Sequence, residues 1–123
     1  MDAAVAQRYQ HIATLAQAIM QRLAAQAATL NFTAPVTLSA PESAAYWLEK
    51  DPASGEYGLT GEWRDASGNK LGSLQFHAGG TFYVEHDILR PHPQRAHCFV
   101  EAVHAWGKDA DIKAELRLLD IPE

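Results

Sequence analysis

The chain has 123 residues, 47% hydrophobic and 20% charged, and a formal net charge of −5 with histidines neutral, which fits one domain, 1–123, with a core that needs no staples. That acidity works against phosphate backbones and anionic lipid, so nucleic acid and membrane are not expected partners. The lone Cys98 excludes an intrachain disulfide, Gln7, Arg8, Gln10 and His11 break up any leader-like start, and no apolar run nears the ~18 residues of a membrane span, which leaves a cytoplasmic location as the default.

Residues 3–30 carry the strongest periodic signal. Tyr9, Ile12, Ala16, Ile19, Leu23 and Leu30 recur at three- and four-residue steps, with Leu15 and Met20 beside them. Alanine is abundant and proline absent, so propensity agrees with spacing and predicts a long helix. Its other faces carry glutamines, few charges and the small Ala13, Ala24 and Ala28. Such a flank suits either an indifferent outer face or self-association.

Pro35 and Pro41 mark a connector over residues 31–43. Ser39 and Glu42 match a capping box, which allows a helix over 40–50. The alternation of Tyr46 and Leu48 with Trp47 and Glu49 favours a strand over 44–50 instead, with Trp47 on the polar side.

From residue 56 the period is two. Leu59, Gly61 and Trp63, then Leu74 and Phe76, then Phe82 and Val84 alternate with polar residues, and Asp/Gly/Ser-rich turns separate the runs. Loops at 66–69 and 78–80 place Gly61 opposite Leu74, Leu59 opposite Phe76, Phe76 opposite Phe82 and Leu74 opposite Val84. All these apolar groups then share one face, which predicts an antiparallel meander.

Pro91 and Pro93 end the meander. Ala96, Phe99, Val103 and Trp106 then fit one helical face, so residues 94–106 are expected to form a second helix capped by Gly107. Residues 111–118 alternate as a final strand, either parallel to the strand at 81 or beside 44–50. The expected fold is α+β, in the order α-β-β-β-β-α-β. An antiparallel meander of four to five strands has the long N-terminal helix and the second helix packed on one face.

Three groups of residues offer chemistry. The polar sheet face brings together Glu62, Gln75, His77, Tyr83 and Glu85, candidates for ligand binding, with Glu62, Glu85 and His77 as acid–base groups if the face is concave. On the expected second helix, His97, Glu101 and His104 form one stripe within reach of a common metal ion. Arg90 and Arg95 flank that helix's amino terminus, where a small carboxylate would fit. Cys98, on the flank of the same helix's core face, reads as packing. No dinucleotide fingerprint, P-loop or serine elbow is present, so no cofactor is expected.

The residues support a small binding or protein-interaction module, self-associating through the long helix or the open sheet face, with a homodimer or another protein as partner. An enzyme or ligand-binding protein using the polar sheet face, and a metal-binding protein using the second helix, are the alternatives.

Overall fold

The computed structural model describes residues 1–122. Asp2 opens the first helix by accepting the Val5 N–H at 2.9 Å, which satisfies one of the unpaired donors of a helix start. Helix α1 then runs Ala3–Ala28, about 39 Å at 1.5 Å per residue. Its Ala16, Ile19, Met20, Leu23 and Ala27 are buried. Full burial of Ile19 and Leu23 contributes roughly 1.5–3 kcal/mol each.

Six strands follow: β1 (Ala45–Lys50), β2 (Tyr57–Arg64), β3 (Lys70–Phe76), β4 (Thr81–Pro91), β5 (Cys98–Lys108) and β6 (Asp111–Asp120). Each pairs antiparallel with its neighbour in the chain, giving the sheet order β1-β2-β3-β4-β5-β6. The expected register holds at all four tested pairs: Gly61 faces Leu74, Leu59 faces Phe76, Phe76 faces Phe82 and Leu74 faces Val84. Leu59, Trp63, Leu74, Phe76, Phe82 and Val84 are all buried. Residues 45–50 are a strand, and Pro41 and Glu42 before it belong to a single 3-10 turn, Pro41–Ser43.

The second helix does not form, and the sheet has six strands rather than four or five. Residues 98–108 are β5, and the reason for the misreading is a bulge. Cys98 and Val100 are buried on one parity and Val103 and Ala105 on the other, because Glu101 is an extra residue between Val100 and Ala102. One inserted residue turns a two-residue period into spacings of two and three, which imitates a helix. Gly107 is not a helix cap. It sits near the end of β5 with φ 157°, where a Cβ would strike the Asp111 carbonyl oxygen. The final strand takes neither expected place, since β6 is an antiparallel hairpin partner of β5 at the sheet edge.

A single helix therefore covers the apolar face, and α1 lies chiefly over β5 and β6. The connector after α1 closes the rest. Its Phe32, Val36 and Leu38 pack on the core. Trp63 donates its indole N–H to Ala40 O at 2.9 Å. The buried His86 accepts the Ser39 N–H on Nε2 at 3.1 Å, so its Nδ1–H donates to Asp87 O at 2.9 Å. Arg90 holds the Ala34 carbonyl and lies 5.5 Å from the Phe32 ring centre. Among the described residues, no helix is long and apolar enough to cross a membrane.

Candidate functional site

Among the described residues no helix lies over the opposite face of the sheet, and the ladder arranges its side chains in rows. One row runs Trp47, Thr60, Gln75, Tyr83, Trp106 and Lys113; the next runs Ala45, Glu62, Ser73, Glu85, His104 and Glu115. Asp87, Ala102 and Arg117 begin a third. Trp106, expected in the core, lies here instead, because β5 is a strand whose alternation from buried Ala105 turns it outward. Trp47 is on this face as expected and is 41% exposed.

The centre of the face is a connected set of charges. Arg117 donates from Nη2 to Glu85 Oε2 at 2.9 Å and from Nη1 to the Tyr83 hydroxyl oxygen at 3.3 Å. Its Nε faces Glu101 Oε2 at 3.3 Å as a charge contact without hydrogen-bond alignment. His104 Nε2 lies 3.1 Å from Glu115 Oε1, and its Nδ1 lies 3.3 Å from the Tyr83 oxygen. With Nε2 donating to the carboxylate, Nδ1 accepts from the tyrosine. The His104 ring also stands 5.2 Å from the Trp106 ring.

Burial, with Glu85 adding to it, raises the Tyr83 hydroxyl above its ordinary value, and Arg117 offsets part of this. Burial likewise raises the Asp87 carboxyl, Glu85 again adding, with His86, Arg117 and Lys70 opposing. Donating to the Glu85 carboxylate holds Arg117 more firmly protonated still.

One end of the same face opens into a groove of about 690 Å³ between the β1–β2 loop and the β3–β4 turn. Glu49, Lys50, Asp51, Glu56, Thr60, Gln75 and His77 line it, so three carboxylates oppose one ammonium. Thr60 donates to Glu49 Oε2 at 3.0 Å. The other end of the face is apolar. Phe99 stands opposite both Pro91 and Leu119, and Leu89 and Leu119 are 60% and 53% exposed.

The expected ligand-binding residues thus fall into three places. Gln75 and His77 line the groove, and Tyr83 and Glu85 belong to the Arg117 network. Glu62 is turned to Arg64, 3.0 Å away. The stripe of His97, Glu101 and His104 vanishes with the helix that defined it. His97 precedes β5 with φ 62°, Glu101 is the bulge residue and His104 faces Glu115. Among the described residues, no three His, Cys, Asp or Glu side chains stand together as a metal ion requires. The helix terminus expected between Arg90 and Arg95 is also absent. Arg90 is committed to the connector, and Arg95 is 3.7 Å from Asp120. Cys98 is buried.

Sequence reasoning missed Trp106, Arg117 and Glu115 as members of this face. The signal was Gly107-Lys108-Asp109-Ala110-Asp111, a hairpin turn read as a helix end. No family model, curated protein or solved structure matches the chain.

Proposed function

We propose that the protein is a small binding module whose working surface is the helix-free face of the sheet, with the acidic groove as the seat for a cationic, extended ligand such as a lysine-rich peptide segment. The observation that carries this reading is the groove itself: an open hollow of about 690 Å³ in which three carboxylates face one lysine. An extended chain with basic side chains matches both its shape and its sign. The exposed Trp47 offers a large rigid contact at the β1 edge of the same face. The single buried thiol suits a reducing, cytoplasmic setting.

The test is titration of the full chain with a lysine-rich peptide at low salt, followed by backbone amide shifts. Shifts clustered at Glu49, Thr60, Gln75 and His77, weakening as salt screens the charges, are expected. Shifts confined to α1, or none at millimolar peptide, would overturn the proposal.

A second reading, an acid–base enzyme on the same face, draws support from the Glu115–His104–Tyr83 hydrogen-bond line. Against it, Arg117 and His104 already occupy the tyrosine oxygen, which leaves a structural lock rather than a poised proton donor.

A further inference from the structure

We propose that the outer edge of β6 pairs with β6 of a second copy, antiparallel about Ala114, joining two six-stranded sheets into one. This goes beyond the ligand reading and does not depend on it.

β6 is the last strand of the sheet and is ten residues long. Exposed edges are normally guarded by proline, a bulge, shortness or charged side chains, and charge is the guard that β6 carries. β6 contains no proline, and the bulge beside it belongs to β5, at Glu101. By contrast, the other edge strand, β1, has six residues.

The charges of β6 choose a partner and a register. Asp111, Lys113, Glu115 and Arg117 lie on one face and alternate in sign. Reversing the strand about Ala114 sets Lys113 of one copy opposite Glu115 of the other, twice by symmetry, and stations Asp111 opposite Arg117, whose guanidinium stays turned inward to Glu85 and Tyr83. Reversal about Glu115 opposes Glu115 to itself and Lys113 to Arg117. Reversal about Leu116 sets Lys113 against Leu119. Only the first of these three registers pairs every charge with its opposite, and directly opposed charges are the favourable cross-strand arrangement. The side chains of Asp111, Lys113 and Glu115 are 74%, 58% and 61% exposed, so each has room to reach across the seam while its present contact is kept.

The core points the same way. On the helix side, Val103 and Ala105 of β5 are fully buried, whereas Ile112, Ala114 and Leu116 of β6 are only partly so. The apolar layer therefore runs out open at this edge. Pairing about Ala114 places Ile112 of one copy opposite Leu116 of the other and carries the layer across. α1 already lies over β5 and β6, so the two helices would flank the seam.

Sedimentation equilibrium of the full chain should return twice the 13.5 kDa chain mass at high micromolar concentration. Lys113→Glu and Glu115→Lys each replace two attractions by two repulsions and should weaken self-association about tenfold or more. Mixing the two single variants should restore the dimer as a heterodimer, and the double variant should restore it as a homodimer. Lys113 pairs with the exposed Asp111, so Lys113→Glu should keep the native circular dichroism spectrum. A monomeric wild-type chain, a dimer indifferent to Lys113→Glu, or single variants that fail to associate on mixing would each overturn the proposal. None of these readouts involves the groove.

Discussion

Arg117 on β6 reaches across β5 to Glu85 on β4, its Nη2 donating to Glu85 Oε2 at 2.9 Å. Between the two strands Arg117 stands opposite Ala102 of β5, whose side chain is only a methyl group. Three strands are tied together by one guanidinium, which also touches Tyr83 and Glu101.

Arg117→Ala should therefore leave Glu85, Glu101 and Asp87 facing one another without their cation. The side chains of Arg117 and Glu85 are 36% and 23% exposed, so the cost is that of a partly solvated network, about 1–2 kcal/mol at low salt and less at high salt. Urea unfolding at two ionic strengths measures it, and Arg117→Lys should recover only part because the forked contact is lost.

Asp87 should act in the opposite sense. Burial first, and then Glu85, raises its carboxyl, so the folded state binds the proton more readily than the unfolded state. The ionised group weakens the fold above its folded pKa, and that penalty fades as pH falls to the ordinary carboxylate value of about 3.9. Asp87→Asn should raise the melting temperature near neutrality and leave it unchanged below about pH 3.9. Thermal unfolding across that range gives the comparison.

His86 pins the connector to the sheet through Ser39 and Asp87 O, and its ring lies 5.3 Å from that of Trp63. His86→Leu keeps the bulk but removes the acceptor for the Ser39 N–H, at a cost of about 1–3 kcal/mol. Hydrogen exchange should show the loss first as faster exchange at Ser39.

In the groove, the double change Glu49→Gln/Glu56→Gln should weaken binding of the lysine-rich peptide about tenfold at low salt. A neutral peptide of the same length should bind equally to both proteins. Calorimetric titration separates the two effects.

Much of this architecture was legible in the order of residues. Alternation with punctuating turns fixed β2, β3 and β4 and their register, since a one-residue slip would have sent Leu59 and Leu74 into water. The helix over 3–30 was equally plain. What failed was β5, because the insertion of Glu101 breaks the alternation that identifies a strand. That error carried others with it. It hid Trp106 and His104 from the open face, sent β6 to the wrong neighbour and assembled a metal stripe from residues that share no helix. The groove was half legible. Gln75 and His77 follow from parity, but Glu49, Asp51 and Glu56 come together only through the curl of the β1–β2 loop.

The order of elements also has a consequence for how the molecule comes into being. Every strand joins the one made just before it, so the sheet can zip up hairpin by hairpin with short loop closures. α1 is the exception: it is synthesised before all six strands, yet its main seat is over β5 and β6, which follow the other four. The helix touches the 3-10 turn, β1 and β2 as well, but most of its seat is complete only when β5 and β6 have been made. In that interval the apolar stripe of the newborn helix is partly uncovered, the kind of surface that invites aggregation.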